Sequence, residues 1–176
     1  ESPLVLEDRI LVNAGGTIVA LKKTDGTNIW TTKGDEAGYS SAVIQKSGDV
    51  TQAIFFTGSR VMGVDVSSGR ELWSYSPVAN RTANIATPIV RGNRVFVSSD
   101  YGTGAALLDL TTSGNNVSAK EVYFTRQMRN HHATSILVGD YLYGFSSAIL
   151  TAMKFDTGDI AWQDRSVGKG SLTFAD

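Results

Sequence analysis

The chain's two histidines are adjacent, His131 and His132, and together with Tyr39, Ser40, Asn84 and Lys169 they are the side chains best suited to hold a ligand. Imidazole, phenol, hydroxyl, amide and ammonium groups offer donors, acceptors and a positive charge, a set that recognises a polar molecule through hydrogen bonds. They do not add up to a metal centre. Consecutive strand residues point to opposite faces, and no third ligand stands at a useful spacing from the histidine pair. Nor do they suggest a hydrolase: Ser40 and Ser41 lack a G-x-S-x-G frame, so a serine–histidine–aspartate triad is not expected. The sequence therefore offers binding chemistry, with no catalytic residue and no metal assigned.

These six residues are scattered, and only a repeating architecture could gather them. Trp30 and Trp73 are 43 residues apart and Trp162 lies 89 beyond Trp73, close to two further periods of about 44. Each tryptophan follows a glycine by four positions: Gly26 to Trp30, Gly69 to Trp73, Gly158 to Trp162. Gly114 fills the missing register, where a polar insertion follows and Tyr123 takes the aromatic place, with an outer strand expected to shift. Upstream of each mark, short apolar runs are joined by Glu7-Asp8, Gly48-Asp49, Gly92-Asn93 and Gly139-Asp140, which read as hairpin turns. A third strand and the aromatic-bearing strand complete each unit.

Periods of this length with four strands and a recurrent glycine and tryptophan mark the blades of a β-propeller, because one small twisted sheet cannot cover both of its own apolar faces. The expected fold is all-β, a propeller of four-stranded antiparallel blades with about four present. Blades are placed at 1–38, 39–82, 83–130 and 131–167, with 168–176 starting a further one. Gly26, Gly69 and Gly158 read as turn positions of positive φ, and Trp30, Trp73 and Trp162 as wedge-filling side chains between blades. Aligned by the repeat, Ser2, Ser41, Thr87, Thr134 and Ser171 form one column at the start of the innermost strands. The residues just before that column are the six candidates, which is why they are expected to meet at a channel mouth.

Composition narrows the rest. Sixteen basic and seventeen acidic side chains nearly cancel and form no long run, so nucleic acid is not expected as a partner. No stretch has the length of a membrane span. The absence of cysteine removes disulfides, thiolate catalysis and sulfur-based zinc sites.

The segments Ala20 to Trp30, Gly63 to Trp73 and Ala152 to Trp162 resemble the A-x-D-x-x-T-G-K-x-x-W signature of pyrroloquinoline-quinone-type propeller repeats, over essentially the whole chain. The resemblance implies an extracytoplasmic, bacterial protein. It leads either to a quinone-dependent alcohol dehydrogenase or to a non-catalytic scaffold similar to the lipoprotein subunit of the outer-membrane β-barrel assembly machinery. The dehydrogenases imply a vicinal cysteine pair, a calcium site and a catalytic aspartate. No cysteine is present, and Asp65, Asp109 and Asp156 fall in or beside the repeat motif, where a carboxylate caps the turn. The reading is a binding or protein-interaction scaffold without cofactor, the alternative a fragment of a dehydrogenase with pyrroloquinoline quinone and calcium. A protein or a small molecule would be the ligand. Four blades leave two apolar end faces, to be covered by a closed four-blade ring, by a homodimer completing an eight-blade ring, or by missing blades of a longer chain; the last is expected.

Overall fold

Glycine turns cut the chain into short strands that pair only with their sequence neighbours. The computed structural model, which describes residues 1–175, contains four antiparallel sheets and no helix among those residues. The first blade is β1 (Leu4–Val5), β2 (Arg9–Asn13), β3 (Thr17–Lys22) and β4 (Asn28–Lys33). The second is β5 (Val43–Ser47), β6 (Val50–Phe56), β7 (Val61–Asp65) and β8 (Glu71–Tyr75). The third is β9 (Ile89–Arg91), β10 (Arg94–Ser99), β11 (Gly104–Ser113) and β12 (Asn116–Thr125). The fourth is β13 (Ile136–Val138), β14 (Tyr141–Ser146), β15 (Ile149–Lys154) and β16 (Ile160–Asp164). In every sheet the strands follow chain order from the inner to the outer edge.

The register repeats as closely as the sequence does. Trp30 faces Ala20, Trp73 faces Gly63, Tyr123 faces Leu107 and Trp162 faces Ala152, and each of the four ladders carries a bulge immediately beyond that pair. Tyr123 thus holds the tryptophan place. The outer strand of the third blade is not shifted; β11 and β12 are ten residues each, and the polar insertion is absorbed in the tip around Gly114. Tight two-residue turns need positive φ, and Gly48, Gly92 and Gly139 supply it at 59°, 57° and 55°.

Alternation along the strands puts one apolar set on each face of each blade, and neighbouring blades bury them. Leu11, Ile18, Ala20 and Trp30 of the first blade pack with Ala53, Phe55, Met62 and Val64 of the second. Ile54, Phe56, Val61 and Trp73 of the second meet Val95, Val97, Ala106 and Leu108 of the third. Phe96, Ala105 and Leu107 of the third meet Leu142, Met153 and Phe155 of the fourth. Three junctions between four blades leave two faces over. Trp30 and Trp73 are 9% and 6% exposed, whereas Trp162, which no further blade covers among the described residues, is 46% exposed.

The aspartates of the repeat divide. Asp65 caps its turn, accepting from the backbone N–H groups of Ser67 and Ser68 at 2.9 and 2.8 Å. Asp156, expected to do the same, is instead taken by two arginines of the third blade, Arg91 and Arg94, the latter at 2.7 Å. Two guanidinium groups outcompete a local turn for one carboxylate. No helix of the described residues is long and apolar enough to cross a membrane.

Candidate functional site

Because each inner strand leaves one face of the arc and the second strand returns to it, the turns after the second strands share that face with the segments entering each blade. The loops at 34–42, 76–88, 126–135 and 165–172 and the turns at 57–60, 100–103 and 147–148 therefore form one surface. All six sequence candidates lie on it, and the structure sorts them into two groups.

Lys169 joins the two histidines: His131, His132, Ala133, Phe145, Ser147, Lys169 and Gly170 line one small concavity at the fourth blade. The histidines are not on a strand, so the opposite-face argument does not apply to them. They sit in a bend where their rings meet edge to face with centroids 5.4 Å apart and Nδ1 atoms 3.1 Å apart. Tyr101, which the sequence reading did not include, completes the group. Its hydroxyl is 3.1 Å from His131 Nε2 and its ring lies 5.1 Å from the imidazole. Two arrangements of protons satisfy all three side chains: Tyr101 O–H donates to His131 Nε2 and His131 Nδ1–H to His132 Nδ1, or His132 Nδ1–H donates to His131 Nδ1 and His131 Nε2–H to the Tyr101 oxygen.

Tyr101 and Ser147 are the two non-glycine residues with positive φ among the described residues, each at 55°. An L side chain in that conformation costs about 1–2 kcal/mol. The surroundings enforce it: Ser147 N–H donates to the Arg129 carbonyl at 2.8 Å, and its hydroxyl donates to the Asp100 carboxylate at 2.9 Å. Two strained turns thus hold a tyrosine against one histidine and a serine beside the pair. Strain kept at one place is a mark of a functional site.

The other candidates serve the frame. Asn84 is 1% exposed and its amide is spent inside the protein. Nδ2 donates to the carbonyls of Thr57, Gly58 and Asn80 at 2.9, 3.1 and 3.2 Å, while Oδ1 accepts from the Asn80 N–H at 3.0 Å. Its own carbonyl accepts from the N–H groups of Tyr39 and Ser40, tying two successive loops together. Ser40 is buried, with its hydroxyl on the Ser41 carbonyl at 3.2 Å. Tyr39 alone of that group points outward, 66% exposed, at a cleft of about 140 Å³ between the loops carrying Glu36 and Arg81. The hydroxyl column also proves to be a stitch between blades: Ser41 Oγ accepts from the Ser2 N–H at 3.2 Å and Thr134 Oγ1 from the Thr87 N–H at 3.0 Å.

Two carboxylates flank this surface. Partial burial pushes Asp35 up, but hydrogen bonds from Ser59 and Arg60, the Arg60 charge and a bond from Thr57 outweigh it and hold the group below its ordinary value. Burial pushes Glu1 up, against the Asn13 N–H and the terminal ammonium.

A calcium-bound quinone would need acidic donors that converge. Among the described residues no three His, Asp or Glu side chains come together to hold a metal, and Asp65 and Asp156 are committed as above.

Four like sheets in sequence order, each sealed to the next by a rim aromatic, define the class: the chain is a β-propeller arc of PQQ-like repeats. A family model described as outer membrane protein assembly factor BamB matches residues 1–164, and the chain belongs to that family. No curated protein matches the sequence. Among solved structures it is similar to BamB from Moraxella catarrhalis, at 16% identity and a TM-score of 0.74, over 94% of this chain and 51% of that one. It is also similar to the quinohemoprotein alcohol dehydrogenase from Comamonas testosteroni, at 12% identity and a TM-score of 0.67, over 95% of this chain and 35% of that one. A europium-containing methanol dehydrogenase gives 13% identity and a TM-score of 0.61, over 94% and 41%. The chain thus spans about half the length of the BamB structure. At these identities the likenesses carry the fold alone.

Proposed function

We propose that this arc is a non-catalytic scaffold in outer-membrane protein assembly, working outside the cytoplasm and gripping a protein partner with its loop face. The observation that carries the reading is the group on the last two blades, where two strained turns hold Tyr101 and Ser147 around His131, His132 and Lys169. Tyr101 is 49% exposed, and His132, Lys169, Arg126 and Arg165 are exposed on the neighbouring loops. A partner segment bearing carboxylates and carbonyl acceptors fits such donors, and exposed aromatic rings add the contact area that dominates protein recognition. The family's description as an assembly factor gives the partner's kind.

Fluorescence anisotropy with a labelled outer-membrane β-barrel precursor, diluted from urea, tests the reading. The chain is expected to bind it, more weakly as salt rises, and the double variant Y101A/K169E to bind about tenfold less tightly, a loss of about 1.4 kcal/mol. Absence of binding, or equal binding by the variant with unchanged circular dichroism, would overturn it. So would pyrroloquinoline quinone with calcium binding the chain and supporting alcohol-dependent dye reduction.

A further inference from the structure

The chain has two histidines and no cysteine, and its three methionines, Met62, Met128 and Met153, are fully buried. Every imidazole or soft sulfur donor within reach of solvent therefore belongs to the pair His131 and His132. Their Nδ1 atoms are 3.1 Å apart and their ring centroids 5.4 Å, which is close to the Nδ1 separation plus one ring radius at either end. The two nitrogens thus meet head-on. In both proton arrangements a single hydrogen lies on the line between them, carried by one nitrogen or the other. A site that holds one proton between two imidazole nitrogens in line has the shape of a site for one univalent ion.

Which ion follows from the number and direction of the donors. A tetrahedral or tetragonal dication needs a third and a fourth ligand, meeting at angles of about 90° to 110°. Among the described residues no further His, Asp or Glu joins the pair to make such a set. The filled-shell cuprous ion accepts two donors in line, and imidazole is among the ligands that copper takes. Its single charge also suits the surroundings. Lys169 lines the same concavity and would repel a dication about twice as strongly, while the Asp100 carboxylate, bonded to the pocket-lining Ser147, supplies a negative charge on the adjoining turn.

Copper on Nδ1 leaves the proton of each ring on Nε2. At His131 the acceptor for it is already in place, because the Tyr101 oxygen stands 3.1 Å from Nε2. A ligating histidine is oriented by such an outer hydrogen bond, and here the acceptor is held by a backbone strained to φ 55°. Insertion of the ion asks for about 4 Å between the nitrogens, at about 2.0 Å each, or about 0.9 Å more than the 3.1 Å observed. His132 is exposed, which leaves its ring free to swing outward by that amount.

We propose that His131 and His132 form a cuprous-ion site, the ion taking the place of the proton between their Nδ1 atoms, with Tyr101 as the residue that positions His131. The site needs these three side chains alone and stands apart from the binding of a precursor by the loop face. Cuprous ion, made from copper sulfate with ascorbate under argon and held in competition with the chromogenic chelator ferrozine, tests the assignment. The chain is expected to withdraw one equivalent from the chelator. The X-ray absorption edge of the complex should carry the strong pre-edge band and the two nitrogen neighbours of a linear two-coordinate ion. His131→Ala and His132→Ala should each weaken binding at least about a hundredfold, since a lone imidazole lacks the second, tethered donor. Tyr101→Phe keeps the ring but removes the acceptor of Nε2–H, and should weaken binding about tenfold with the linear edge unchanged, a pattern that loss of the fold would not give. Circular dichroism checks that each variant folds. No withdrawal of copper from the chelator, binding that survives His132→Ala, or an edge showing three or four light neighbours overturns the site. Equal binding by Tyr101→Phe overturns the role given to Tyr101.

Discussion

Alanine in place of Gly63 is expected to destabilise the chain by about 3 kcal/mol, although alanine stands at the same place in the first and fourth blades. Ala20 and Ala152 face Trp30 and Trp162 across their ladders as Gly63 faces Trp73. Only in the second blade does a hydrogen bond run over that position. Trp73 Nε1 donates to Gln52 Oε1 at 2.6 Å, Gln52 Nε2 to Gln45 Oε1 at 2.7 Å, and Gln45 Nε2 to the Gly92 carbonyl of the third blade at 3.2 Å. A methyl on Gly63 would stand 2.2 Å from Gln52 Oε1 and 2.3 Å from Trp73 Nε1. Gln52 is fully buried and Trp73 nearly so, leaving neither room to yield. Urea unfolding measures the loss: with a slope of about 2 kcal/mol per molar, the midpoint should fall by about 1.5 M. Ala20→Gly, the reverse exchange where no such bond exists, should cost about 1 kcal/mol. A Gly63→Ala protein within about 0.5 kcal/mol of wild type would mean that the amide chain does not hold the second and third blades together.

That chain of amides was not legible in the sequence, whereas the blades were, and the difference is physical. A two-residue hairpin turn and a wedge between sheets each admit few residue types, so Gly48, Gly92 and Gly139 or Trp30 and Trp73 leave marks at fixed spacing. Even the irregular third copy was readable, because Tyr123 can do with its hydroxyl what Trp30 does with its Nε1. Polar side chains carry no such mark. Asn84 and His131 share one column, yet the first is buried in the frame and the second faces out with Tyr101, a distinction made by the loops around them. Tyr101 lies thirty residues from His131, in a turn outside the repeat motif. Its one signal was a bulky residue placed ahead of Gly102 in a short turn, where positive φ was required of it. The alternation rule failed for the histidine pair because it holds on strands, and these residues occupy a bend. Asp156 resembled Asp65 locally, but its partners Arg91 and Arg94 come from another blade.

The tryptophans, alike in the repeat, should part company when each is replaced by alanine. Trp30→Ala removes a ring that is 9% exposed, its bond to Val66 and its contact with Gly69, and should cost about 3 to 5 kcal/mol. Trp73→Ala should fall at the upper end, because it also strands the Gln52 carbonyl in a buried junction. Trp162→Ala should cost less than about 1 kcal/mol, since nearly half of that side chain already faces water. Tyr123→Phe isolates the hydrogen bond to Phe155 from the ring packing and should cost about 1 kcal/mol. Blades touch only their sequence neighbours, so each loss belongs to one junction and the four values map three filled junctions and one open end. Urea titrations give all four. Equal losses at Trp30 and Trp162 would show that these side chains stabilise their own blade instead of the joint to the next. The ordering expected here ties stability to the presence of a following blade: a ring packed against the turn of a neighbouring blade contributes what a ring half in water does not.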